Sequence, residues 1–264
     1  MVTKSTHARN EFEEQSPRLA VLIDADNAQA AVIEELLTEI ARFGEATVKR
    51  IYGDFTAPTS ASWKKVLQRY AIKPVQQFAY STGKNSTDST LIIDAMDLLY
   101  TRKFDGFCLI TSDSDFTGLA MRLREEGLSV FGFGEKKTPE AFRNACHKFV
   151  FTEVLRNDAA SDAPKSEVAP PASAASHSSH ANEPPLKFPK KFVLMALDQA
   201  IDDSGWAGLG AFGSYLTKLQ PDFDSRLYGY KKLSDLVRAR TDLFVIEERQ
   251  AAGSNQKTLY LRAK

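Results

Sequence analysis

Two stretches of this chain share a layout that narrows its fold more than any other feature. Leu109-Ile110-Thr111-Ser112-Asp113-Ser114-Asp115-Phe116 and Leu19-Ala20-Val21-Leu22-Ile23-Asp24-Ala25-Asp26-Asn27 are apolar runs that end abruptly in two aspartates spaced one residue apart. Phe116 to Arg124 then carries apolar and charged residues at helical spacing, so a strand feeding a helix is expected. Strands that are apolar throughout suit a parallel sheet covered by helices on both faces. In such a sheet these junctions lie at the carboxyl ends of the strands, where ligands bind. If the two strands are neighbours, Asp24 and Asp26 face Asp113 and Asp115 across one crevice. Crowded carboxylates repel one another, and a shared proton or a bound cation relieves them. A divalent-metal site is therefore expected.

The rest of the first half follows the same alternation. Val32, Ile33, Leu36, Leu37 and Ile40 form one helical stripe that stops at Gly44, with Asp26 or Asn27 as its cap. Thr47 to Tyr52 alternates as a strand, a helix runs through Trp63, Val66, Leu67 and Tyr70, and a short strand spans about Lys73 to Phe78. Thr87 caps a helix whose buried stripe is Leu91, Ile92, Ala95, Leu98 and Leu99, which puts Asp88 in its first turn, where the helix dipole favours its charge. Leu128 to Phe133 and Lys148 to Phe151 read as further strands, the last an edge strand, with a short helix through Ala145 between them. The expectation is a doubly wound, mostly parallel α/β sheet. No strand is followed by a Walker-type loop or a Gly-x-Gly-x-x-Gly turn, which argues against nucleotide binding of the ordinary kinds.

Composition matters in two places. Residues 157–185, rich in Ala, Ser, Pro and His and without periodicity, read as a flexible linker, and residues 1–17 as a disordered N-terminus. The formal net charge is zero, yet from Leu186 onward 13 Lys and Arg stand against 9 Asp and Glu, so the basic charge is concentrated in the C-terminal third. Residues 186–264 offer three helical segments and two alternating stretches flanking a Gly-containing turn, the pattern of a winged helix, with Trp206 and Tyr230 in its core. Two cysteines do not suggest a disulfide framework, and no apolar run suits a signal peptide or a membrane span. A cytoplasmic protein away from membranes is the expectation.

Ile23-Asp24-Ala25-Asp26-Asn27, Lys84-Asn85-Ser86-Thr87-Asp88 with Asp94-Ala95-Met96-Asp97, Thr111-Ser112-Asp113-Ser114-Asp115-Phe116, and Gly132-Phe133-Gly134 with Thr138-Pro139 together resemble the NYN domain of the LabA-like branch, over about residues 18–156. Gly205-Trp206, Gly210, Pro221-Asp222-Phe223 and Tyr228-Gly229-Tyr230 resemble an OST-HTH domain, also called LOTUS. The first resemblance implies a PIN-like fold and metal-dependent ribonuclease activity, and the second implies binding of RNA or of a protein partner. Carried over by motif, the acidic positions are Asp24, Asp88, Asp113 and Asp115.

Those residue types suit Mg²⁺ or Mn²⁺, which prefer oxygen ligands, keep several waters and are held by a few carboxylates plus substrate phosphate oxygens. Asp24 and Asp113 are assigned as direct ligands, Asp88 as ligand or general base, Asp115 as direct or water-mediated ligand. Asn27 is assigned to orient Asp24 or cap the helix, and Asp94 to support the site or to be solvated. Lys84 and Asn85 could hold a phosphate. Lys136 and Lys137 could track a single strand, and Lys231, Lys232 and Arg238 form a basic face for RNA phosphates, with ordinary solubilising charge as the alternative for each. An endoribonuclease acting on single-stranded RNA is the reading, and a non-catalytic RNA-binding regulator or a metal-dependent phosphatase or DNA nuclease stays open. Oligomeric state is left unassigned.

Overall fold

The computed structural model describes residues 16–56, 61–78, 86–161, 187–250 and 257–264. Its first part is a six-stranded sheet built from β1 (Arg18–Asp24), β2 (Glu45–Gly53), β3 (Lys73–Gln76), β4 (Gly106–Ile110), β5 (Ser129–Gly134) and β6 (Lys148–Phe151). All five pairings are parallel and the order is β3-β2-β1-β4-β5-β6. The chain winds outward from β1 in one direction and from β4 in the other. The crevice at their carboxyl ends is thus the point where the strand order reverses, the preferred ligand position in sheets of this kind.

Burial explains why the strands read as unbroken apolar runs. Successive side chains of a strand point to opposite faces. Ala20, Leu22, Phe107 and Leu109 enter one core with residues of α3 (Ser86–Tyr100), α4 (Thr117–Glu125) and α5 (Glu140–Ala145). Leu19, Val21, Ile23, Cys108 and Ile110 enter the other with residues of α1 (Ile33–Ile40), α2 (Ala61–Arg69) and α6 (Thr152–Ser161). Each fully buried Leu, Ile or Phe contributes about 1.5–3 kcal/mol by leaving water. Cys108 and Cys146 are both buried and free.

One local expectation needs correction. Neither Asp26 nor Asn27 caps α1: the chain first makes a 3-10 turn at Ala30–Val32, preceded by Gln29 in extended conformation, with no side-chain cap. The reason is competition, because the Asp26 N–H and the Asn27 side-chain amide both donate to the Asp24 carboxylate instead.

The second unit comprises α7 (Lys190–Asp198), β7 (Ala207–Gly208), α8 (Leu209–Leu219), α9 (Leu233–Ala239), β8 (Phe244–Gln250) and β9 (Lys257–Ala263), with the strands in the antiparallel order β7-β9-β8. This is a winged helix with its own core, including Phe212, Leu236 and Leu261. The third helix, α9, begins at Leu233, after Ser225–Tyr228 forms a 3-10 turn closed by left-handed Gly229. Tyr230 packs against the core, whereas Trp206 does not enter it. It is half-buried, with the guanidinium groups of Arg249 and Arg262 over its ring at 5.1 and 4.8 Å.

The two units touch along the edge strand β6. The Phe149 N–H donates to the Pro221 carbonyl at 2.9 Å, and Lys148 Nζ donates to the Phe223 carbonyl at 3.0 Å. Arg143 pairs with Asp222, and Arg226 pairs with both Glu39, at 2.9 Å, and Asp224, at 2.8 Å. These contacts cover part of an edge that would otherwise offer unpaired backbone groups. The expected linker lies outside the described residues apart from the part of α6 that extends into it. Among the described residues, no helix is long and apolar enough to cross a membrane.

Candidate metal centre

Asp24 is the last residue of β1 and Asp113 follows β4, so pairing of these two strands brings them to the same rim. Asp113 stands at the start of a 3-10 turn, Ser114–Phe116, and its carboxylate accepts the Asp115 N–H at 2.9 Å. This holds both aspartates of the Asp-Ser-Asp motif in fixed relation. Asp88 comes from the first turn of α3. One carboxylate oxygen from each of Asp88, Asp113 and Asp115 lies within 4.8 Å of the others, with Asp88 and Asp113 half-buried and Asp115 exposed. An oxygen set of this kind, open on one side, fits a small hard dication that keeps part of its water shell.

Asp24 is placed differently from the other three. Its side chain is buried and does not belong to that close cluster. Its Oδ2 accepts from Asn27 Nδ2 at 2.7 Å and Thr111 Oγ1 at 2.8 Å, and its Oδ1 accepts from the Asp26 N–H at 3.1 Å. Thr111 also accepts the Asp113 N–H at 3.1 Å, so one hydroxyl links the two acidic strand ends. Thr111 stands at the head of the Thr111-Ser112-Asp113 motif but is assigned no role from the sequence. Its signal is its position at the end of an apolar run, where a polar residue must find partners.

The electrostatics report crowding. Burial, followed by the charges of Asp24, Asp113, Asp115 and Asp26, raises the Asp88 carboxyl to about 6. Burial also raises Asp24, against the opposing effect of its hydrogen bonds. A carboxyl held above its unfolded value stabilises the fold only while protonated. For Asp88, that stabilisation is complete below its ordinary value of 3.8 and is lost as pH rises through about 6. We expect the melting temperature of the protein in EDTA to fall between about pH 4 and about pH 6.5, and Asp88→Asn to remove much of that slope. Mn²⁺ should raise the melting temperature more at the higher pH, where the carboxylates are ionised. A slope unchanged in Asp88→Asn would contradict this reading of the cluster.

The remaining expected residues fall into separate groups. Asp94 lies on α3 beyond Asp88 and accepts from Arg50 and from the Tyr52 hydroxyl, both on β2. Burial and then Asp94 raise the Tyr52 phenol, which stays protonated as the donor. Tyr52 is in register with Asp24, so this contact pins the helix bearing Asp88 against the strand next to the site. Lys84 and Asn85 lie outside the described residues. Lys137 pairs with Glu135 at 2.8 Å, and the backbone N–H of exposed Lys136 donates to Glu153 at 3.0 Å. Arg238 pairs with Glu248 at 2.8 Å, while Lys231 and Lys232 line a cleft between the two units. The basic residues of α9 and its approach therefore do not form one undivided face.

Comparison with known proteins finds two domain families in the chain. The NYN domain family matches residues 18–155, just over half of the chain, and the OST-HTH/LOTUS domain family matches residues 184–255. No curated protein matches. Among solved structures, the chain is similar to an uncharacterised protein of Nitrosomonas europaea solved by NMR, with 66% identity over 37% of this chain and 92% of that one and a TM-score of 0.30. It is also similar to a crystal structure of a Vibrio parahaemolyticus protein of unknown function, with 16% identity over 52% of this chain and 93% of that one and a TM-score of 0.44. A Chromobacterium violaceum protein solved by NMR shares 33% identity over 29% of this chain and 82% of that one, with a TM-score of 0.24.

Proposed function

Because this chain belongs to the NYN domain family and continues into an OST-HTH/LOTUS domain, we propose that it is an endoribonuclease dependent on Mg²⁺ or Mn²⁺. The observation that carries the reading is the convergence of Asp88, Asp113 and Asp115 at the reversal point of the sheet, with buried Asp24 beside them. The two families support a nuclease-like, RNA-binding role, and the acidic cluster supports metal-dependent chemistry.

Asp88, Asp113 and Asp115 would hold the ion, and Asp24 would add negative charge from behind while Thr111 and Asn27 fix its orientation. When bound, the cation would activate a water for in-line attack and neutralise charge on the phosphate and the leaving oxygen. Asp88, in the first turn of α3 beside Asp113 and Asp115, would serve either as a ligand of the ion or as the base that takes the proton of the attacking water. The Asp94, Arg50 and Tyr52 contact would keep α3 from moving as charge changes at Asp88. No side-chain nucleophile is needed. The phosphorus would form a bond to the water oxygen as its bond to the departing sugar oxygen breaks, the attacking water losing its proton to a carboxylate or to solvent and the departing oxygen taking one from solvent.

The test is incubation of the full chain with labelled single-stranded RNA and the matching DNA, with Mn²⁺ and with EDTA. Cleavage of RNA in preference to DNA, present with Mn²⁺ and absent with EDTA, is expected. Tight RNA binding without cleavage under any divalent metal would overturn the nuclease reading and leave a binding protein.

A further inference from the structure

A cleft of about 300 Å³ lies between the two domains, walled on one side by the end of α1 and the start of β6, and on the other by α8 and the segment entering α9. We propose that this cleft binds a small phosphate-bearing anion of the size and charge of a nucleoside diphosphate. Its volume is at the lower end of the range for small-molecule sites, which favour domain interfaces.

The charge inventory supports an anion. Arg42, Lys148, Arg226, Lys231 and Lys232 line the cleft, against only Glu39 and Asp224. Both acids are engaged in a chain that balances itself: Arg42 pairs with Glu39 at 2.9 Å, and Arg226 pairs with Glu39 and Asp224. Lys148 and Lys232 add positive charge beyond that chain, one from each domain. Lys148 has one hydrogen-bond acceptor among the described residues, the Phe223 carbonyl, for an ammonium with three N–H groups. Burial lowers its pKa and Arg226 adds to this, with the charges of Asp224, Glu39 and Asp222 opposing, so an added anion would act with those carboxylates to stabilise a desolvated cation. Phe43, Leu216 and Phe223 supply apolar wall on which a ribose and base could rest.

The location separates this site from the aspartates. Lys148 opens β6, and Glu39 and Arg42 precede β2, so the cleft lies at the amino-end rim of the parallel sheet, opposite the carboxyl-end rim where β1 and β4 lead into the acidic cluster. Strands of five or six residues span roughly 17–20 Å. A phosphate in the cleft is therefore not the one under attack, and the proposal does not rest on the nuclease reading. A ligand touching both domains would also strengthen their docking.

The test is calorimetric titration of the full chain, in EDTA, with ADP and with pyrophosphate. Binding of both is expected, weakened about tenfold or more, roughly 1.4 kcal/mol, in Lys148→Met and in Lys232→Ala, and unchanged in Asp113→Asn. Lys232 is exposed, so its variant decides the matter if Lys148→Met fails to fold. Displacement of ADP by short single-stranded RNA would identify the RNA backbone as the source of the phosphate and uphold the site. No heat with either probe at millimolar concentration, an affinity equal to that of the wild type in both lysine variants, or loss of binding in Asp113→Asn would overturn it.

Discussion

Asp113→Asn is expected to lower metal-dependent RNA cleavage on the order of a thousandfold, about 4 kcal/mol of transition-state stabilisation, while leaving the fold intact. The substitution is nearly isosteric, and its side-chain oxygen can still accept the Asp115 N–H, the contact that starts the Ser114–Phe116 turn. What it removes is one of the three negative charges that meet within 4.8 Å. The loss should therefore appear in cleavage and in Mn²⁺ affinity, and not in RNA binding measured in EDTA. Rates measured over a range of Mn²⁺ concentrations separate the two effects, since a weakened site is partly rescued by excess metal. Equal cleavage by wild type and variant at every metal concentration would remove Asp113 from the chemistry.

Gly134→Ala should be the most damaging single methyl group added near the site. A Cβ at Gly134 would stand 2.5 Å from the Thr111 carbonyl oxygen, 2.6 Å from Thr138 Oγ1 and 3.0 Å from the Phe149 ring. The Thr111 backbone cannot simply yield, because its N–H is bonded to the Phe133 carbonyl at 3.0 Å. Overpacking of this kind costs about 1–3 kcal/mol. At roughly 2–4 °C per kcal/mol for a chain of this size, the melting temperature should fall by several degrees. Because the Thr111 hydroxyl also holds Asp24, Mn²⁺ affinity should fall with it. Gly118→Ala provides the contrast: its Cβ would meet nothing within 4 Å, and it lies in α4, where Ala is favoured over Gly by about 0.5–1 kcal/mol. A Gly134→Ala protein as stable as the Gly118→Ala protein would show that the β4 and β5 ends are looser than described here.

These two cases show where local pattern suffices and where it does not. The strands were legible because β1 and β4 are buried almost end to end, which leaves an apolar run with a sharp polar stop. Their pairing could be stated only as a condition, since side-by-side placement depends on how the whole chain winds. Asp26 shows the limit of spacing alone. Two residues beyond Asp24 it would share a face in a continuing strand, but the strand ends at Asp24 and the Asp26 N–H folds back onto that carboxylate. Asp94 carried no local sign of its partners, because Arg50 and Tyr52 are 44 and 42 residues away. The docking of the domains was less visible still: Arg226 and Glu39 are 187 residues apart and each sits among ordinary surface charges in the sequence. Lys231 and Lys232 read as an open basic face for the same reason, although they line the cleft that this docking creates.

The most direct measurement is an anomalous-scattering map from crystals of the full chain grown with Mn²⁺. A single strong peak is expected with oxygens of Asp88, Asp113 and Asp115 at about 2.1 Å, the distance usual for a small hard dication. A map with no peak at the ends of β1 and β4, or with manganese held by other side chains while these three carboxylates hydrogen-bond elsewhere, would contradict the account.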